Sequence, residues 1–282
     1  MATEVFGFDA FSPKEVAYRV EQTGVTKARL PLLTMAMLSL LAGAFIGLGG
    51  LFFVVVTSDP GLGFASAQLF GGLVFSLGLL LVIVAGAELF TGNNLLVMAW
   101  AASKISTIEL LRNWAVVMTG NLIGAIGLAV LVVLAGHAQM NDGLVGERYV
   151  EIAASKSELS FLEAFFRGML CNVLVCMAVW MAMAGRSVID KTVAIVFPIA
   201  AFVAAGFEHS IANMYFYPVA MLFQVSGQAG EALPTIGMGD FVGNLVPVVL
   251  GNLVGGSVLV GLVYWVIYIR GQRVREEGGG QQ

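Results

Sequence analysis

Charge is what this chain has least of. Only 11% of its 282 residues are Asp, Glu, Lys or Arg, against about 25% in ordinary soluble domains. A net charge of −4 leaves no phosphate-neutralising surface, which excludes a basic nucleic-acid binder. Histidine is scarcer still. His137 and His209 stand far apart, too few and too distant for bis-histidine haem ligation, a zinc cluster or a His-Glu-x-x-His site. The two cysteines, Cys171 and Cys176, share one apolar run, where a disulfide would be strained, so they read as small apolar fillers. There is no Gly-x-Ser-x-Gly elbow, no phosphate-cradling loop and no Asn-Pro-Ala. Neither an enzyme nor a cofactor is expected.

What the chain does have is apolar surface, at 59% of residues. A bilayer span takes about 20 predominantly apolar residues. The charge-free runs include Leu30–Val56, Asn113–Gly136, Gly168–Gly185 and Phe241–Ile269. Pro60–Ala87 and Leu89–Ser103 are parted only by Glu88, and Thr192–Phe207 and Ser210–Gly230 only by Glu208 and His209. Taking each of those pairs as one interrupted passage predicts an all-α membrane protein of six passages, the second and fifth broken. Basic residues agree with that count, because Lys and Arg favour the cytoplasmic side. With the N-terminus inside, Lys14, Arg19, Lys27, Arg29, Lys104, Arg112, Arg186, Lys191, Arg270, Arg273 and Arg275 are cytoplasmic, against Arg148, Lys156 and Arg167 outside. Both termini are thus predicted in the cytoplasm. Residues 1–29 contain a helix start, with Ser12 as N-cap, Pro13 first and Glu15 completing a capping box, while Phe11 and Val16 occupy staple positions. Such a helix either lies on the cytoplasmic face or acts as a movable lid over a pore mouth.

The chain also repeats itself. Residues 85–94 match 205–214 at four of ten positions, and 113–124 match 244–255 at six of twelve. This divides the chain into an N-terminal helix (1–29), a three-passage unit (30–136), an external connection (137–160), a second unit (161–270) and a cytoplasmic tail (271–282). An odd number of passages per unit makes the repeat inverted. In such proteins solute sites lie near the midplane, at helix breaks whose N-termini face anionic groups. Gly43/Gly47, Gly120/Gly124 and Gly251/Gly255 are small-xxx-small pairs, expected to pack helices within one subunit.

Glu88 and Glu208 occupy matched positions just before the two breaks. An intramembrane charge is costly, so each carboxylate is expected to accept backbone N–H groups freed there and pin the loop. His209 matches Leu89 in the other copy. A scaffold residue belongs in both copies, whereas a residue found in one has a task needed once. With Glu208 beside it and Asn213 four residues on, His209 is the candidate pore residue, and its ordinary pKa of about 6.5 lets it switch charge near neutrality.

Gly206-Phe-Glu-His-Ser-Ile-Ala-Asn213, Ala85-Gly-Ala-Glu-Leu-Phe-Thr91 and Gly251-Asn-Leu-Val-Gly255 resemble the signatures of the formate–nitrite transporter family, over nearly the whole chain. Gly24-Val-Thr-Lys27-Ala, Gly185–Lys191 and Tyr264–Arg270 resemble its formate-channel branch, while Glu88 and Thr91-Gly92-Asn93 are closer to nitrite channels. The resemblance implies an aquaporin-like fold, a homopentamer with one pore per protomer, and a bacterial inner-membrane location. It implies His209 at the pore centre, contacted by Thr91, with Asn172 as a nearby hydrogen-bond donor. It further implies a cytoplasmic-side constriction of Leu79, Leu89, Phe90 and Val175, an external one of Phe75 and Phe202, and vestibule cations Lys27 and Lys156. The expected solute is formate or a similar small anion, carried with pH dependence and with His209 as proton donor or hydrogen-bond donor. Nitrite or hydrosulfide permeation and proton–formate symport remain alternatives, with a non-transporting scaffold or redox subunit more remote.

Overall fold

The computed structural model describes residues 10–228, 230 and 233–271, so residues 272–282 with Arg273 and Arg275, and residues 1–9, lie outside the described residues. Among the described residues the chain is helical throughout, with no strand. Helix α1 is Pro13–Ala28, α2 Leu32–Thr57 and α3 Phe64–Gly86. A 3₁₀ turn, Gly92–Leu96, leads into the short α4, Val97–Ala101, followed by α5, Thr107–Leu134. Helix α6 is Leu144–Ser157, α7 Phe161–Ala184, α8 Val188–Ala204, α9 Ser210–Val225 and α10 Met238–Arg270. Five of these, α2, α3, α5, α7 and α10, are long and apolar enough to cross a membrane. Helices α8 and α9 have only 17 and 16 residues and meet at a non-helical link.

Helix starts are set locally. Ser12/Glu15, Ser106/Glu109, Ser160/Glu163 and Ser187/Asp190 each form a reciprocal capping box, which satisfies amides that have no intrahelical partner. At α1 the Ser12 amide and hydroxyl hold the Glu15 carboxyl below its ordinary range. The start of α1 is fastened further: the Phe11 amide donates to Ala184 O at 3.0 Å, and the Arg19 and Arg186 guanidiniums lie 4.0 and 4.3 Å from the Phe11 ring centroid, close enough for cation–π attraction. The predicted external connection consists of a kinked segment, His137–Gly143, whose Met140, Asn141 and Asp142 leave helical geometry, and helix α6, whose Tyr149, Val150 and Ala153 are buried.

The glycine pairs do pack helices within the chain. Added methyls on Gly43 and Gly124 would meet the backbone carbonyls of Asn121 and Leu40, tying α2 to α5; on Gly251 and Gly255 they would meet those of Phe165 and Met169, tying α10 to α7. Backbone cannot swing aside as a side chain can. Gly255→Ala is therefore expected to lower stability by about 1–3 kcal/mol or more. Gly127→Ala, where a methyl would meet nothing within 4 Å, should be neutral or stabilising by up to about 1 kcal/mol. Thermal unfolding of the purified variants in detergent checks both; equal midpoints would show that the close approach is not needed. Two other glycines are required for conformation: Gly86 and Gly206, at φ +89° and +68°, stand where α3 and α8 stop, in the left-handed region that side chains disfavour.

Candidate functional site

Each helix stop presents backbone amides that need acceptors in an apolar interior. The expectation that Glu88 and Glu208 supply them is overturned. Asn121 Oδ1 accepts the Phe90 amide at 2.9 Å and Asn252 Oδ1 the Ser210 amide at 3.0 Å. The same asparagines use their Nδ2 groups to reach Glu88 O and Ser39 O in one cluster, and Glu208 O and Gly168 O in the other. The Glu88 and Glu208 amides themselves donate to Leu38 O and Arg167 O.

With the amides satisfied, the carboxylates take side-chain partners. Lys27 Nζ lies 2.8 Å from Glu88 Oε1, and Asn93 Nδ2 donates to Glu88 Oε2 at 2.7 Å and to Asn113 Oδ1 at 3.0 Å. Asn113 closes the loop by donating to Lys27 O at 3.2 Å. The second cluster repeats these contacts, although Lys27 Nζ also donates to Asn93 Oδ1 at 3.0 Å and Asn213 Oδ1 has no such partner. Lys156 Nζ is 2.8 Å from Glu208 Oε1, Asn213 Nδ2 donates to Glu208 Oε2 and Asn244 Oδ1 at 2.7 Å each, and Asn244 Nδ2 donates to Lys156 O at 3.0 Å. Lys27 and Lys156, expected as vestibule cations, are thus also the counter-ions of the two buried acids. Their own correspondence was missed in the sequence, although Asn93, Asn113, Asn121 and their counterparts all fall inside the matched segments.

Between the clusters lies His209, the N-cap of α9. Its Nδ1 accepts the Ala212 amide at 3.2 Å, and its Nε2 is 2.9 Å from Thr91 Oγ1. With Nδ1 used as an acceptor, a neutral imidazole carries its proton on Nε2. An imidazolium would instead set Nδ1–H against the Ala212 N–H, donor against donor. The ring is oriented by backbone, not by Glu208. Asn172 donates Nδ2 to Thr91 O, Asn94 Oδ1 and Asn252 O, so its amide N–H groups serve the protein instead of facing the lumen.

Around His209 is a narrow apolar space of about 10 Å³, lined by Phe75, Leu79, Leu89, Val175 and Phe202 together with Ile46 and Ile199. That is room for about one water. Phe90 is buried but is not part of this lining. The space continues a row of cavities. Beyond Phe75 and Phe202, whose rings meet edge to face at 5.8 Å, a cavity of about 220 Å³ is lined by Lys156, Arg148, Arg167 and Glu208. Beyond Leu79 and Leu89, one of about 50 Å³ is lined by Lys27, Asn93 and Val179, with α1 contributing Val20, Thr23 and Gly24. Ile46 and Ile199 carry no sequence signal, being apolar residues on helices that are apolar almost all round. Among the described residues no three His, Cys, Asp or Glu side chains gather as a metal site requires.

Membrane-length helices enclosing buried polar groups and a narrow apolar passage between charged cavities define a multi-span membrane transport protein. Comparison with known proteins says which kind. The formate/nitrite transporter family model matches residues 14–266. The formate channel FocA of Escherichia coli K12 is 40% identical, over 93% of this chain and 96% of that protein; that of Haemophilus influenzae is 36% identical, over 90% and 93%. A solved pentameric formate channel with formate bound superposes with a TM-score of 0.78 at 40% identity, covering 85% of this chain and 98% of that one. An FNT family ion channel gives 0.80 at 31%, covering 90% and 98%. The chain belongs to the formate/nitrite transporter family.

Proposed function

We propose that this chain is a formate channel of the bacterial inner membrane, assembled as a homopentamer with a pore in each protomer. The observation that carries this reading is His209, the one polar residue lining an apolar lumen, bonded behind it to buried Thr91 and with a Lys–Glu–Asn–Asn cluster on either side. The relatives named as formate channels, and the solved pentameric one with formate bound, support the substrate and the assembly. The paired wiring supports an inverted three-passage repeat. On that reading α8 and α9 form one interrupted passage, α3 and the Gly92–Ala101 segment another, and there are six in all. The bias of basic residues supports both termini in the cytoplasm, which puts Lys27 on the inner side and Lys156 on the outer.

Lys27 and Lys156 attract the anion to the two cavities. Phe75 and Phe202 on one side, and Leu79, Leu89 and Val175 on the other, strip its water. A carboxylate of pKa about 4 needs roughly 4 kcal/mol to take a proton at neutral pH, whereas idealised burial of a bare ion costs of order 20 kcal/mol. Crossing as the neutral acid is favoured. In this account His209 stays neutral and turns its Nε2–H from Thr91 Oγ1 to the solute, while Glu88, Glu208 and Asn213 hold the lysines and the loops. Flux into protein-loaded liposomes in formate, nitrite, acetate and hydrosulfide tests the reading. Formate is expected to pass fastest; a clear preference for nitrite or hydrosulfide would reassign the substrate, and no flux of any of them would end the channel reading.

A further inference from the structure

Lys156 is anchored by one ion pair, yet its position depends on where α6 sits, and the pathway reading does not explain what holds that helix. Buried phenols do. Tyr149 and Tyr215 place their hydroxyl oxygens 2.7 Å apart, and Ser157 Oγ meets the Tyr217 hydroxyl at 3.1 Å. All three tyrosines have 0% exposure. The Tyr215 ring is bracketed by α2, where added methyls on Gly47 and Gly50 would come within 3.0 and 3.1 Å of it. The Tyr149 ring packs on Tyr215 and Phe223 with centroids at 5.9 and 5.4 Å.

Tyr149 and Lys156 are seven residues apart on α6, so they share one helix face two turns apart. Ser157 adjoins Lys156. The two hydroxyl pairs therefore attach α6 to α9 at two heights. One attachment would stop the helix sliding, and two also stop it turning about its axis, a motion that would carry Nζ away from Glu208. The other half of the molecule is held differently. Helix α1, carrier of Lys27, is tied by the Phe11–Ala184 and Asn113–Lys27 hydrogen bonds and by the ion pairs Arg29–Glu109 and Lys104–Glu21, the first with an arginine side chain 59% exposed and the second with Glu21 buried. Exposed pairs weaken with salt; buried hydroxyl pairs do not.

We propose that the Tyr149–Tyr215 and Ser157–Tyr217 hydroxyl pairs are positioning residues of the anion pathway, fixing α6 on α9 so that Lys156 stays on Glu208 beside His209. This rests on the channel reading for its functional consequence, but not for its geometry. The test compares acylation rates of individual lysines by a water-soluble amine reagent, mapped by peptide mass spectrometry on the purified full chain. In Tyr149→Phe/Tyr217→Phe, Lys156 is expected to react about fivefold or more faster, the factor of one net hydrogen bond lost, with Lys27 unchanged. The concentration for half-maximal formate flux should rise while the maximal rate is kept. An unchanged Lys156 rate, or equal acceleration at Lys156 and Lys27, overturns the proposal. Should the double variant fail to fold, Ser157→Ala removes one hydroxyl and no ring, and the same two readings apply to it. Failure of the wild type to carry formate would count against the function alone, because the labelling ratio does not depend on the solute.

Discussion

Replacing His209 by leucine, the residue already present at its counterpart Leu89, is expected to lower formate flux ten- to hundredfold in a protein that still folds. The lumen lining is apolar apart from His209, so the variant would leave a dehydrated solute with no donor from that ring. Leaving a dehydrated polar group without its partner costs about 1–3 kcal/mol, and each 1.4 kcal/mol is a factor of ten in rate. The fold should lose about 1–4 kcal/mol, because α9 loses the Nδ1 cap on Ala212 and the buried Thr91 hydroxyl loses its Nε2 partner. His209→Asn separates the two roles open to the ring. Asparagine is a good N-cap and keeps an N–H donor, but it cannot titrate. If His209 is a neutral donor, the asparagine variant recovers most of the flux. Its rate also falls with rising pH as steeply as the wild type, because the neutral acid becomes tenfold scarcer per pH unit above about 4. If the ring instead relays the proton, the wild type has the shallower profile and the asparagine variant steepens it. Proteoliposome flux between pH 5 and 8 decides. Wild-type rates in the leucine variant would remove His209 from the pathway altogether.

Legibility in the sequence followed chemistry more than geometry. Glu88, Glu208 and His209 stood out because a polar residue in an apolar run must find a partner, and the near-repeat of Glu88 but not of His209 separated scaffold from task. The wrong expectation was for the carboxylates. A sequence shows that amides are freed at a break, but not which acceptor arrives; after folding, Asn121 and Asn252 approach from helices 31 and 42 residues downstream and leave the acids to the lysines. By charge alone Lys156 is one more ionic residue of the external connection, because the segment around it carries Glu147, Arg148, Glu151 and Glu158, which masks a helix whose buried face shows only in residues such as Tyr149, Val150 and Ala153. Tyr149 has its partner 66 residues away, and no local pattern encodes that. Ile46 and Ile199 were invisible for the opposite reason, since an apolar side chain on an apolar helix looks the same whether it faces lipid, core or lumen.

Glu208→Ala and Lys156→Ala are each expected to destabilise the protein by up to about 3–5 kcal/mol, because removing one partner leaves the other charge largely buried, with water only on the cavity side. Their side chains are 5% and 15% exposed, so a remnant can be hydrated only in part, from the cavity that both line. The cost in each case is that of the abandoned charge. The pair Glu208→Leu/Lys156→Met removes both charges at nearly the same volume and should recover most of the stability, since apolar replacements of buried ion pairs are often neutral. A double-mutant cycle on thermal unfolding in detergent should therefore give a coupling above about 2 kcal/mol, well beyond the roughly 0.5 kcal/mol scatter of independent sites. Simple additivity would mean that the ion pair is not formed. The matching cycle at Glu88 and Lys27 should give a smaller coupling, because the Lys27 side chain is 25% exposed and water can take over part of the partner's role. The apolar double variant then separates structure from transport. Its fold is retained but the Lys156 cavity has lost a cation, so if Lys156 serves the anion as well as Glu208, flux stays low after stability has returned. If flux returns with stability, Lys156 serves only as a counter-ion, and recruitment of the solute falls to Arg148 and Arg167, which line the same cavity.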